Sequence, residues 1–440
     1  MINSAYFIPT NKPCEKSLRS YIKEIAFAKK TYGIEVPFVL VESARSNSEK
    51  LNARVLHELK KEYPSAHIYH ITRDILERYF DTLLKNGLHE FYNCFVPDKK
   101  DYGAAFNRIF ILAVAMRKDA FHRRDADTSL LFDEFPSLDR RFPIEIEIEY
   151  LGKKMCDIAQ SSLARQSGQV QVEREILVVG SNYFGEWNLD VKDFAKKSMA
   201  IVHNLYKILG FPEDSIVSLC ADSFNFNKSP ETKDLLHLIT SVADAYNPDC
   251  GNIAVKTLHE WLPALSARNM LACDYFTFDT ASSLGIPAIH HTRDVFHEYT
   301  PDRFILENKI SYWEAVMKFA DYFNAYMSIY NSDWDQKCGR NRTSVVDNKI
   351  IRNISQNIAK FAGLNIDGRK TRIAKICKEV LIPFDERYAM VGQHLLRQAD
   401  CIINETVREY TEHARLLVAW TDIVEHARKM PLYDFASEVR

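Results

Sequence analysis

An α/β fold is what the sequence predicts: a mostly parallel sheet flanked by helices, followed by a C-terminal helical domain. Three observations lead there. The first 130 residues alternate short apolar strands with amphipathic helices, the order that sets strands side by side in parallel with helices on both faces. Beyond about residue 305 strand signals fade and helical periodicity takes over. Only 14 glycines occur in 440 residues, few for an all-β sandwich. With 46% hydrophobic and 26% charged residues the chain is too apolar for disorder, and its length suits about two or three domains.

Ala5–Ile8 reads as the first strand, closed by the turn signals Pro9 and Pro13. Leu18, Ile22, Ile25 and Ala26 then recur at helical spacing. Pro37–Ser43 is the second strand and carries the carboxylate of Glu42 near its end. Leu51, Val55 and Leu59 mark a second helix, and Ala66–Ile71 a third strand. In such sheets ligands bind beyond the carboxyl ends of the strands, which singles out Pro9, Thr10 and Asn11 together with Glu42 and Ser43. Gly103–Lys118 forms a helix with Phe106, Ile109, Phe110, Ala113 and Val114 on its apolar face. Ala120–Arg124 is a short strand leading into Asp125-Ala126-Asp127.

The strict alternation of Ile144–Glu149 predicts a strand with one wet face, and Glu175–Gly180 predicts another. Residues 153–174 between them are a polar insertion. Helices are expected over Tyr312–Tyr330, Ile350–Ala362, Thr371–Leu381 and from Glu386 towards Lys429. A boundary near Arg303–Asn308 divides the chain into a catalytic domain, 1–305, and a helical domain, 306–440.

Charge narrows the partners. Lys+Arg 57 against Asp+Glu 59 leaves a net charge of -2, so no basic excess is available to neutralise the phosphates of a nucleic acid. The longest apolar run, Ile109–Met116, is far short of the roughly 20 residues of a spanning helix. The first ten residues lack a basic region and meet Pro9 too early for a signal peptide. The nine cysteines are scattered, odd in number and without a Cys-x-x-Cys pair, which points to reduced thiols and a cytoplasmic setting. Phosphate-loop, Gly-x-Gly-x-x-Gly, His-Glu-x-x-His and Gly-x-Ser-x-Gly motifs are absent.

The chemistry-bearing motif is Asp125-Ala126-Asp127. Two carboxylates one residue apart after a strand point the same way and can hold a hard divalent ion at the sheet edge. Such an ion neutralises charge on a departing phosphate oxygen. Arg123 and Arg124 either form a salt-bridged surface or turn a guanidinium fork to phosphate.

Tyr102-Gly103-Ala104-Ala105-Phe106-Asn107-Arg108, an apolar helix, and then Phe121 to Asp127 together resemble the nucleotide-sugar transferases of the GT-A (Rossmann-like) fold. Scattered motifs from about residue 5 to 300 carry the likeness. It implies a Mn²⁺- or Mg²⁺-dependent glycosyltransferase that moves a sugar from a nucleoside diphosphate sugar to an acceptor hydroxyl. Pro9, Thr10 and Asn11 would end the family's first strand, and Glu42 would face nucleobase and ribose. Asn107, Arg124 and Asp125 would also contact the donor. Asp125, Asp127 and His297 would hold the metal, with His290 and His291 competing for the last place. Cys250-Gly251-Asn252 is similar to the segment at the acceptor side, and Asp274 falls where inverting members keep a catalytic base. The chain departs from the family in having Glu42-Ser43-Ala44 where Asp-Gly-Ser is usual, and Cys250-Gly251 where Gly-Gly is.

Plainer readings stand beside these. Asp274 reads equally as the cap of a helix from Thr277, Asn107 as a polar residue on an exposed helix face, Gly251-Asn252 as a turn, and the histidines as structural. The aromatic helix Tyr312–Tyr330 reads as core or as a homodimer interface. Two other functions are open: nucleotidyl transfer on the same fold, for which Pro9–Pro13 offers one lysine and no glycine, and a non-catalytic binding protein.

Overall fold

The structure, a computed structural model, describes residues 2–85, 87–158, 174–185, 189–222, 229–239, 248–298, 305–330 and 347–440. Its strands are β1 (Ser4–Thr10), β2 (Phe38–Glu42), β3 (Ile68–Ile71), β4 (Ala120–Arg124), β5 (Thr128–Leu130), β6 (Val178–Gly180), β7 (Tyr183–Gly185), β8 (Leu236–Ile239), β9 (Asn252–Lys256), β10 (Ala288–His291) and β11 (Val295–His297). Eight of them make one sheet in the order β3-β2-β1-β4-β9-β6-β10-β8, and β5-β11-β7 make a small second sheet. In the large sheet β9 and β8 run against the rest. The expected α/β architecture, mostly parallel and flanked by helices, is the one observed.

Strand parity builds both faces. Ala5 and Phe7 of β1 and Val39 and Val41 of β2 join one core with the helices Arg73–Leu83 and Tyr102–Ala115. Tyr6, Ile8, Phe38 and Leu40 point the other way into a core with the helices Glu15–Tyr32 and Asn47–Glu62. Successive side chains leave a strand on opposite sides, so a continuous apolar run fills two cores at once. The helices Leu306–Tyr330, Asn348–Ala362 and Glu386–Lys429 follow at the expected places. Tyr326, Ile354 and Trp420 from them belong to the same core as the sheet face that carries Phe7 and Phe121. The expected helix Thr371–Leu381 is Ile366–Ile376 continued by a π turn, Cys377–Leu381. Trp313, Tyr322, Tyr326 and Tyr330 of the aromatic helix are buried in the core.

One element differs in kind. Ile144–Glu149 is not a strand but lies in a helix, Pro143–Tyr150. Proline suits the first helical turn, and the isoleucines fan out around the axis: Ile144 enters the core of β1 and β2, and Ile146 the core of β6, β9 and β10. Glu147, assigned to a wet face by alternation, is fully buried and ion-paired to Arg124 at 2.9 Å. Of the polar segment 153–174, residues 159–173 lie outside the described residues, as does Arg303 at the expected domain boundary. No disulfide links the described cysteines, and no described helix is long and apolar enough to cross a membrane.

Candidate functional site

A cleft of about 660 Å³ opens beyond the carboxyl ends of β1, β2 and β4. It is lined by Pro9, Thr10 and Asn11 at the end of β1 and, after the neighbouring strand β4, by Asp125, Ala126 and Asp127 in the turn to β5. The far side is closed by Asn308, Ser311, Tyr312 and Ala315, one face of the helix Leu306–Tyr330 at helical spacing. The lining carries five basic and five acidic side chains, so the cleft is charged without being one-signed.

Each acid of the pair is held differently. Asp125 Oδ1 accepts from Arg123 Nη2 at 2.8 Å, and Oδ2 accepts from the Tyr183 hydroxyl at 2.5 Å. Gly251 lies directly beneath: a Cβ there would come within 2.3 Å of Asp125 Oδ2 and 2.0 Å of the Tyr183 oxygen. Any side chain at 251 would have to push both groups away from each other's reach. Asp127 Oδ2 pairs with Lys12 Nζ at 2.8 Å. Burial works against the Asp127 charge, but Lys12 and then His297 outweigh it and hold the carboxyl below the usual carboxylate range. His297 comes close through the small sheet. It stands opposite Thr128 in the β5–β11 register, and the Glu298 N–H donates to the Asp127 carbonyl at 2.9 Å. Its ring stacks on Tyr183 with centroids 5.2 Å apart.

The donor types suit a hard divalent cation, since carboxylate and imidazole meet at two neighbouring strand ends. As the side chains stand, Arg123 and Tyr183 occupy both oxygens of Asp125, and Lys12 occupies one of Asp127. Among the described residues no group of three or more His, Cys, Asp and Glu side chains is gathered for chelation. His297 acts electrostatically on Asp127, and a cation taken by these two would have to displace Lys12 from Asp127. His290 and His291 belong elsewhere. They lie on β10 inside the large sheet, where burial pushes both imidazoles down to about 3.

Asp274 sits in the turn Cys273–Tyr275 before the helix Phe276–Ser283, and that helix has no side-chain cap. Its Oδ2 is 3.6 Å from Arg123 Nη1. Burial pushes its carboxyl up to about 6 against the pull of Arg123. Arg123 therefore links the two acids, lying flat on the Phe106 ring at 3.9 Å from its centroid.

Four expected ligand contacts turn inward instead. Arg124, next to Arg123 on the strand, points to the opposite side and is fully buried between Glu24 at 3.2 Å and Glu147. Asn107 has no exposure. Its amide brackets Ala264, donating to the carbonyl at 3.1 Å and accepting from the N–H at 2.9 Å. Glu42 is buried, with Oε1 accepting from Asn52 at 2.8 Å and Oε2 without a partner; its neighbours Ser43 and Ala44 reach the cleft. Asn252 spends Nδ2 on the carbonyls of Asn182 and Arg293. Gly103, part of the stretch that resembles the family, is a packing residue, since a Cβ would lie 1.8 Å from the Leu265 carbonyl oxygen.

The site residues that sequence reasoning passed over are Tyr183 and Arg108, while Arg123 was left with Arg124 between a salt-bridged surface and a phosphate contact. Strand parity could have separated Arg123 from Arg124, and the i,i+3 spacing from Ala105 could have placed Arg108. Tyr183 reaches Asp125 across 58 residues and carries no local signal.

A family model described as "Family of unknown function (DUF6271)" matches residues 5–436. No curated protein matches the chain. Among solved structures, similarity is found to glucosyl-3-phosphoglycerate synthase from Mycobacterium tuberculosis in complex with Mn²⁺, UDP and phosphoglyceric acid (13% identity, 72% of this chain and 78% of that one, TM-score 0.32). Mannosyl-3-phosphoglycerate synthase from Rubrobacter xylanophilus is similar at 12% identity over 79% of both chains, TM-score 0.34. A mannosyltransferase from Pyrobaculum calidifontis in complex with GDP-Man and Mn²⁺ is similar at 11% identity over 98% and 88%, TM-score 0.37. Likenesses with such scores assign no activity.

Proposed function

The chain belongs to this family of unknown function (DUF6271), and from its site we propose that it is a metal-dependent glycosyltransferase moving a sugar from a nucleoside diphosphate sugar to an acceptor hydroxyl. The observation that carries the reading is the convergence of Asp125, Asp127 and the Pro9–Asn11 strand end on one cleft beyond the carboxyl ends of parallel strands, where ligands of open α/β sheets bind. Of the motifs that resemble the GT-A nucleotide-sugar transferases, the Pro9–Asn11 strand end and Asp125-Ala126-Asp127 line this cleft, and they support the reading. Asp127 and His297 would hold Mn²⁺ or Mg²⁺, and the ion would neutralise charge on the departing diphosphate. Asp125, fixed by Arg123 and Tyr183, would orient the donor ribose. No basic surplus equips the cleft for a nucleic acid.

The direct check is a thermal-shift panel with Mn²⁺ and UDP, GDP, CDP or TDP. One diphosphate raises the midpoint only when Mn²⁺ is present, because a bound ligand stabilises by mass action, about 2.7 kcal/mol at a hundredfold excess over Kd. No shift with any of the four would contradict the reading. Asp274 would take the acceptor proton as general base. Its carboxyl near 6 must be ionised to act, so kcat/KM is expected to fall tenfold per unit below about that pH. In Asp274→Asn both turnover and this acidic limb would vanish; a limb that survives there belongs to another group.

A further inference from the structure

Arg108 leaves the helix Tyr102–Ala115 into the floor of the cleft and is 3% exposed. Its Nη1 donates to the Phe95 carbonyl at 2.8 Å, while Nε has no hydrogen-bond partner. The acid that acts on it most is Asp101. That carboxylate is already spent on the Ala104 N–H at 2.8 Å and the Ser266 hydroxyl at 2.6 Å, and it makes no ion pair with the guanidinium. Burial, together with repulsion from Arg73 and Arg123, lowers the Arg108 pKa to about 10.

Arg73 shows what a structural arginine looks like in this neighbourhood. Its guanidinium is used up on Glu77 and on the carbonyls of Ser43, Val96 and Pro97. Arg123, 3% exposed, lines the same cleft; its Nη2 is paired with Asp125 at 2.8 Å, and its Nε keeps no hydrogen-bond partner. Arg108, a desolvated cation with an unused donor and no ion pair, is costly unless a counter-charge arrives. The planar fork of arginine is shaped for an oxyanion.

We infer that Arg108 and Arg123 form an oxyanion subsite in the floor of the cleft, which takes a phosphate or carboxylate group of a small substrate. As a specificity element of a transferase it rests on the reading above; as a binding site it stands without it. The group comes either from the diphosphate of the donor or from an anionic acceptor. Both offer the same oxygens to the guanidinium forks.

The test is titration of the full chain with inorganic phosphate and pyrophosphate in EDTA, against chloride at equal ionic strength, and separately with the nucleoside diphosphates plus Mn²⁺. Phosphate or pyrophosphate is expected to raise the wild-type midpoint beyond chloride. Arg108→Gln is expected to weaken that binding tenfold or more, and Arg108→Lys by less. If Arg108→Gln weakens the nucleotide equally, the donor supplies the oxyanion. If nucleotide affinity holds within twofold while phosphate affinity falls, the acceptor does. Phosphate binding without any nucleotide binding would remove the transferase reading and leave the subsite. No response of the wild type beyond chloride, or equal affinity in wild type and Arg108→Gln, overturns the proposal. The wild-type arm and Arg108→Lys decide it should the glutamine variant not fold.

Discussion

Replacing Asp127 by alanine is expected to lower cation-dependent release of nucleoside diphosphate by about 10³-fold or more, the scale of losing a preorganised electrostatic stabiliser at a developing charge. The chain should stay folded. Asp127 and Lys12 keep 27% and 40% of their side chains exposed, and a pair that wet contributes at most about 1 kcal/mol. A large kinetic loss on a small change in stability separates a ligand to the reacting centre from a structural carboxylate. The readout is nucleoside diphosphate release from the best-bound sugar nucleotide with and without Mn²⁺, next to a urea unfolding curve. Full activity in the variant, or a loss that tracks unfolding, would remove Asp127 from the chemistry.

The opposite pattern is expected on the other side of the same strand. Glu147→Ala should destabilise the protein by about 3–5 kcal/mol, the cost of stranding a buried charge. Glu147 is fully buried and shared by Arg124 Nη1 at 2.9 Å and His122 Nδ1 at 2.6 Å. Arg124 also pairs with Glu24, whose second contact is the Tyr6 hydroxyl at 2.5 Å. Burial works to raise the Glu147 carboxyl, but Arg124 and His122 pull it down to about 2. Because this lies below its unfolded value of about 4.5, the stabilisation is whole above that pH and is lost as pH falls from there towards 2. Unfolding curves at pH 7 and pH 3 should therefore differ between wild type and variant mainly at pH 7. A loss under 1 kcal/mol at pH 7 would mean that water or a relaxed Arg124 replaces the pair.

These two acids show where sequence reading succeeds and where it stops. The order of strands and helices was legible because apolar periodicity is local, and the ends of β1 and β4 were legible because ligands gather at carboxyl ends. Strand parity sets Arg123 and Arg124 on opposite faces, but which of them a buried Glu24–Glu147 pair claims was not legible. The alternation of Ile144–Glu149 mimics a half-wet strand, yet burial of Glu147 against Arg124 and the fanning of its isoleucines make it a helix. Asn107 looked like a ligand contact, and Gly103 belongs to the same resembling stretch. Both serve a close approach of the helix Tyr102–Ala115 to the backbone at Ala264 and Leu265, a contact across more than a hundred residues. The Lys12–Asp127 pair spans 115 residues, and no window along the chain contains it.

Asp127, with His297 beside it, is expected to take a divalent cation once a nucleoside diphosphate is in the cleft. The most direct measurement is the electron paramagnetic resonance signal of free Mn²⁺ titrated into wild type and Asp127→Ala, with and without the nucleotide that gives the largest thermal shift. Wild type is expected to remove one equivalent of free Mn²⁺ beyond what the nucleotide alone takes up, and Asp127→Ala to remove none. Equal uptake by both proteins, or no uptake by wild type, would contradict it.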